Sequence, residues 1–193
     1  DLKNTNFTDR HKINVEQKQK IGRCAAESIE DGESILLDAS STAYYLGLAL
    51  ESKSRLRVVT NGLDVARLMA RNPTHTVILI GGILNPEGSS VTGLFSEMLI
   101  EELRIQKAFV SASGFSLERG MTEVHLQEAI LKRKVIDSAV EVIALVDSSK
   151  FGKEDLTPFA RIKDIHHLLT DDRISSEWQK LLEQAGVRTI ICR

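Results

Sequence analysis

The 193-residue chain has little of what marks the familiar kinds of site. It has two cysteines, Cys24 and Cys192, at opposite ends and with no CxxC pair. Neither a disulfide framework nor a zinc knuckle fits that usage, and a reduced, cytoplasmic compartment is expected. No apolar run approaches the ~18–20 residues of a membrane span, and no basic start precedes an apolar stretch as in a secretory signal. No membrane partner is therefore expected. Aromatic residues make up only 5% of the chain, so the core must be aliphatic. Charge of either sign is not in excess: 25 basic and 27 acidic residues leave a net charge of −2. That balance argues against strong nucleic-acid binding by this chain alone, because phosphate neutralisation needs clustered Lys and Arg. The dinucleotide fingerprint GxGxxG, the phosphate loop GxxxxGK[ST] and the hydrolase elbow GxSxG are missing. His11, His75 and His125 have no Cys or His at ligand spacing, and His166 and His167 on a strand would face opposite ways. No metal site and no cofactor are expected.

What is present is a rhythm. Residues 1–13 are polar and aperiodic, and read as a linker or a loosely tied arm. From Asn14 the pattern turns helical, with Asn14 as cap, Gln17 three residues on, and Ile21, Ala25 and Ile29 at helical spacing. Asp31-Gly32 ends that helix. Apolar runs at 35–38, 56–60, 76–80, 107–111, 141–146, 167–170 and 187–191 read as strands. Helix-like stretches at 42–50, 63–71, 93–103, 124–138 and 175–184 alternate with them. Such alternation predicts an α/β fold: a mostly parallel, doubly wound sheet with helices on both faces. Residues 81–88, Gly-Gly-Ile-Leu-Asn-Pro-Glu-Gly, break the rhythm with a loop or short hairpin.

In such a sheet, ligands gather at the carboxyl ends of the strands. Five successive strand candidates end in small polar residues. Asp38-Ala39-Ser40-Ser41-Thr42 leads into a helix whose free N–H groups suit an anion, although the segment alone favours Ser41 as a plain N-cap with Asp38 accepting local N–H bonds. Thr60-Asn61-Gly62 is a second such turn. Gly81-Gly82 allows close backbone approach, or only a tight turn. Ser111-Ala112-Ser113-Gly114 follows the fourth run. Asp147-Ser148-Ser149-Lys150 follows the fifth, offering a carboxylate, hydroxyls and an ammonium. Together these groups suit a sugar phosphate, with hydroxyls and amides for the sugar, and N–H groups with Lys150 for the phosphate. Glu128 and Lys132 stand at i, i+4, and the residues alone favour a surface ion pair there. Lys132-Arg133-Lys134 reads as a solvated helix face, residues 118–123 as a mobile loop, and Cys24 as a small buried thiol within its helix.

The ordered segments KQKIGRCAAESIEDGESILLDASST, VVTNGLDVARLMA, ILIGGILNPEGSSVTG, KAFVSASGFSLERGMTEVHLQEAILKRKVIDSA, LVDSSKFGK and LLTDD resemble the C-terminal sensor domain of DeoR-type bacterial transcriptional regulators. The resemblance runs from about Val15 to Asp172. It implies a Rossmann-like fold similar to ribose-5-phosphate isomerase. It also implies a regulator, usually a repressor of a sugar-catabolism operon, that answers to a phosphorylated sugar and works as a homo-oligomer, at least a dimer. It places Asp38, Ser40, Ser41, Thr42, Thr60, Asn61, Gly81, Gly82, Ser111, Ser113, Gly114, Asp147 and Lys150 in the phosphosugar loops. Glu128 falls on the family's acidic helix position. Residues 1–13 are too short for the family's helix-turn-helix head, so DNA contact is expected only through that absent domain, with 14–193 as the sensor. The isomerases carry an acidic turn where this chain has Ser111-Ala112-Ser113-Gly114. A non-enzymatic sensor is therefore expected over an active phosphosugar isomerase or a mere assembly domain, with no catalytic residues assigned.

Overall fold

The computed structural model describes residues 7–86 and 89–193. Residues 1–6 of the expected arm and Glu87-Gly88 of the expected loop lie outside the described residues.

All seven expected strands are present. They are β1 (Ser34–Leu37), β2 (Arg57–Thr60), β3 (Thr76–Leu79), β6 (Ile105–Ser111), β9 (Ala139–Leu145), β11 (His167–Asp171) and β12 (Thr189–Cys192). They form one sheet in the order β12-β11-β9-β6-β1-β2-β3. Every pairing is parallel. The winding reverses between β1 and β6, so a crevice opens there beyond the strands' carboxyl ends.

Strand periodicity sorts the core into two layers. Ile35, Leu37, Val58, Phe109 and Ile143 pack with Ile21, Ala25 and Leu46, on the face covered by α2 (Val15–Glu27), α3 (Ser41–Ala49) and α4 (Leu63–Met69). Leu36, Val59, Ala108, Val110 and Ala144 pack with Leu131, Val135 and Leu182. That second face carries α5 (Leu94–Glu102), α6 (Leu126–Ser138) and α7 (Ser176–Gln184). Few aromatics enter either layer, as the composition requires.

The departures from the sequence reading are local. Phe7–Lys12 is a short helix, α1, rather than an aperiodic arm. It rests on α3: the His11 ring stacks on Tyr45 at 4.7 Å, and the Tyr45 hydroxyl donates to the His11 carbonyl at 3.1 Å. Residues 118–123, expected as a mobile loop, carry β8 (Gly120–Glu123), which is buried along its whole length. With β7 (Gly114–Ser116) and β10 (Thr157–Ala160) it makes a small antiparallel sheet. The break after β3 holds the hairpin β4 (Ile83–Leu84) and β5 (Val91–Thr92).

Candidate functional site

The first turn of α3 shows how the sequence shapes the crevice. Ser40, not Ser41, is the N-cap, and its hydroxyl accepts from the Ala43 N–H at 3.0 Å. The Ser41 and Thr42 amides therefore keep the open position that a helix start leaves them. Asp38 supports this turn from below. Its carboxylate accepts from the Ser40 N–H at 3.1 Å and the Ser111 N–H at 2.8 Å, joining the loops after β1 and β6 across the switch point.

Above these loops lies a cavity of about 390 Å³. Of the residues expected at the site, Ser40, Ser41, Thr42, Ser111, Ser113, Glu128, Asp147 and Lys150 line it. Asp38 and Asn61 do not line it but bond residues that do. Asn61 donates to a Glu128 oxygen at 3.3 Å, and Ser90 donates to the other. Thr60, Gly81, Gly82 and Gly114 do not line it. The Thr60 hydroxyl accepts from the Gly62 N–H at 3.0 Å. The Gly81 carbonyl accepts from Ser96 at 2.7 Å, and a Cβ on Gly82, at φ 154°, would lie 2.4 Å from the Ser96 hydroxyl. A Cβ on Gly114 would lie 2.4 Å from the Lys153 carbonyl. Gly82 and Gly114 answer to close packing, whereas a Cβ on Gly81 would meet nothing within 4 Å.

The sequence reading missed the charge at the centre. Lys132 is 6% exposed and is not on a solvated face. Its ammonium donates to Glu123 at 2.8 Å and to the Ser111 carbonyl at 2.8 Å, lies 3.3 Å from Asp38, and sits over the Phe159 ring at 5.2 Å. Its neighbours do keep the expected solvated role, since Arg133 pairs with Asp137 and Lys134 with Glu101. Burial opposes the charge on Lys132, but Glu123, Asp38 and Glu128 outweigh it and hold the ammonium protonated above its ordinary range. Burial likewise works against the Glu123 carboxylate. The Lys132 charge prevails there, with hydrogen bonds from Lys132, Ser113 and the Val124 N–H, and the carboxyl falls to about 2. Such a group is a poor general base at neutral pH. Glu128 goes the other way: burial raises its pKa, the Glu123 and Asp38 charges add to the rise, and Lys132 and Ser90 oppose it.

The cavity walls are polarised. Lys150 and Lys153 stand on the side formed by the chain after β9, and neither has an ion-pair partner among the described residues. Carboxylates near them are engaged. Asp147 accepts from Asn14 at 3.2 Å and from the Ser149 N–H at 3.1 Å, while Glu154 faces Arg119 at 3.9 Å. The opposite side offers Glu128, Asn85 and Ser90. One end thus suits an anion and the other a set of hydroxyl groups. Among the described residues no cluster of His, Cys, Asp and Glu could hold a metal ion, and no helix is long and apolar enough to cross a membrane.

Comparison with known proteins bears on the family and the fold. Residues 13–172 match the family model described as the DeoR C-terminal sensor domain. The chain is 36% identical over 183 residues to the HTH-type transcriptional regulator GolR of Listeria innocua, covering 95% of this chain and 72% of that one. It is 33% identical over 188 residues to the transcriptional repressor GlcR of Bacillus subtilis, covering 96% and 71%. It is 30% identical over 168 residues to the glycerol-3-phosphate regulon repressor of Escherichia coli, covering 87% and 67%. These relatives are named as regulators or repressors, not enzymes. The fold is similar to a D-ribose-5-phosphate isomerase solved with phospho-erythronic acid, at a TM-score of 0.52 and 17% identity, over 71% of this chain and 54% of that one. It is also similar to eIF2B delta from Chaetomium thermophilum, at a TM-score of 0.57 and 16% identity, over 81% and 56%.

Proposed function

The chain belongs to the DeoR family of transcriptional regulators, as its C-terminal sensor domain, and on that premise we propose that its cavity binds a phosphorylated sugar whose presence alters DNA binding by an N-terminal helix-turn-helix head. The observation that carries this reading is the polarised cavity. The open amides of Ser41 and Thr42 and the ammonium groups of Lys150 and Lys153 meet the phosphate. The hydroxyls of Ser111 and Ser113 and the Glu128 carboxylate meet the sugar. Asp38, Asn61 and Lys132 hold these groups in place by hydrogen bonds to Ser111 and Glu128. The relatives named for a glycerol-3-phosphate regulon and a lactose phosphotransferase system lend the same direction. The effect on DNA is linkage: the ligand favours one arrangement of the regulator, and DNA affinity changes by the coupling free energy.

Assembly with a second copy is part of this reading. Beside the edge strand β3, the hairpin and α5 expose Ile83, Leu84, Leu94, Phe95 and Met98, with Phe95 73% exposed. Apolar surface on that scale beside an unpaired edge suits a protein partner.

The test is Lys150→Ala. Sugar-phosphate affinity is expected to fall about ten- to a hundred-fold, the loss of one charge-assisted contact of roughly 1.5–3 kcal/mol. Weak binding of the free sugar is expected to stay unchanged in calorimetric titration. Equal weakening of both removes the phosphate from Lys150.

A further inference from the structure

One wall of the cavity belongs to none of the sheet's loops. Ile13, Asn14 and Lys18 line it from the corner between α1 and α2. The corner is bonded to the site. Asn14 holds a left-handed backbone, φ 52° and ψ 41°, and its side chain makes no cap bond to α2. It turns instead to the chain after β9, donating to Asp147 at 3.2 Å and to the Ser149 hydroxyl at 3.1 Å. The segment that carries Lys150 is thereby tied to the start of α2.

Lys18 lies one turn further along α2 and is 5% exposed. Its ammonium donates to the Arg10 carbonyl in α1 at 2.5 Å. That bond uses one of three protons, and no carboxylate lies within ion-pair distance of it among the described residues. Burial pushes the Lys18 pKa down to about 8; the Lys150 and Arg10 charges add to this and Asp147 opposes it. A buried cation beside a second cation is costly, and an anion between them relieves the cost. α1 itself is docked on α3, the helix whose first turn holds Ser41 and Thr42.

We propose that Lys18 is a second ligand for the anion in this cavity and the residue through which occupancy reaches the N-terminal helix. An anion shared by Lys150 and Lys18 fixes Lys18, and Lys18 fixes the Arg10 carbonyl, so α1 is held against α3 more firmly when the cavity is filled. The inference deepens the sugar-phosphate reading but needs only its anion-binding half. It makes the effector's charge, rather than its sugar, the part that is felt at the N-terminal end of the domain.

The experiment uses backbone hydrogen exchange and calorimetric titration on the 193-residue chain, with inorganic phosphate as the probe, then ribose 5-phosphate, glucose 6-phosphate and glycerol 3-phosphate. Phosphate is expected to slow exchange at residues 9–13 in the wild type. Lys18→Met is expected to bind phosphate about tenfold more weakly and to lose that protection, while Lys18→Arg keeps both. Wild-type affinity in Lys18→Met overturns the proposal, and so does unchanged exchange at 9–13 in the phosphate-saturated wild type, whatever the variant does. Binding of a sugar phosphate without protection at 9–13 overturns this inference and leaves the effector reading standing. A chain indifferent to phosphate and to all three sugar phosphates overturns both.

Discussion

Lys132→Met is expected to destabilise the domain more than any other single change in the cavity. The substitution nearly preserves volume, so the effect is electrostatic. It leaves the Glu123 and Asp38 carboxylates, both buried, without the ammonium that sits 2.8 and 3.3 Å away. Removing one partner of a buried ion pair costs ~3–5 kcal/mol, because the remaining charge is neither solvated nor paired. For a domain of this size, that is a fall in melting temperature of about 6–20 °C. The pH dependence carries the signature. In the wild type the Glu123 carboxyl is depressed from 4.5 to about 2. Its contribution to stability is full above 4.5 and is lost as pH falls through about 2. In the variant the carboxyl loses its main depressing partner, so its pKa rises and acid neutralises the stranded charge. The difference between variant and wild type should therefore shrink as pH is lowered from 7 towards 4. A variant with wild-type stability at neutral pH would show that the triad is not held as the structure places it.

Ser41→Asp is expected to abolish sugar-phosphate binding while leaving the fold intact. Ser41 opens α3 and lines the cavity, but the cap of that helix is Ser40. An aspartate in the first helical turn is favourable to the helix itself. It also sets a carboxylate where the phosphate is to sit, and like charges at that range cost several kcal/mol, roughly a hundredfold or more in affinity. Titration should show no heat with a ligand that the wild type binds, and the unliganded melting temperature should stay within a few degrees. Retained affinity moves the phosphate elsewhere in the cavity.

Much of this architecture was legible in the sequence because the physics that sets it is short-ranged. The seven parallel strands are short, mostly aliphatic runs, of which β1, β2 and β11 are each followed by a turn and then a helix, and the runs stand out against a chain poor in aromatics. The loops that converge on the switch point are legible for the same reason, since Ser40, Ser41 and Thr42 follow β1 within five residues and Ser111 ends β6. What escaped depends on tertiary contact. Lys132 sits among Arg133 and Lys134 and pairs by spacing with Glu128, so it reads as solvated. Its partners are Glu123, on a strand too short to show alternation, and Asp38, from the far side of the switch point. β7 and β10 were hidden likewise, being three- and four-residue strands that alternation cannot reveal. Asn14 has the composition of a cap, but its left-handed backbone sends the side chain to Asp147 and Ser149. A glycine pair signals close approach without saying to what: at Gly82 the approach is to Ser96 of α5, and the Ser96 hydroxyl donates to the Gly81 carbonyl.

The central claim, that the cavity recognises a phosphorylated sugar, is tested most directly by thermal melting of the domain against sugar phosphates and the matching free sugars. A ligand at about 100 times its dissociation constant adds ~2.7 kcal/mol, which is about 5–10 °C for a chain of this length. A rise of that size with a phosphorylated sugar, absent with its free form, is the result the account predicts. A free sugar that raises the melting temperature as far as its phosphate ester would contradict it.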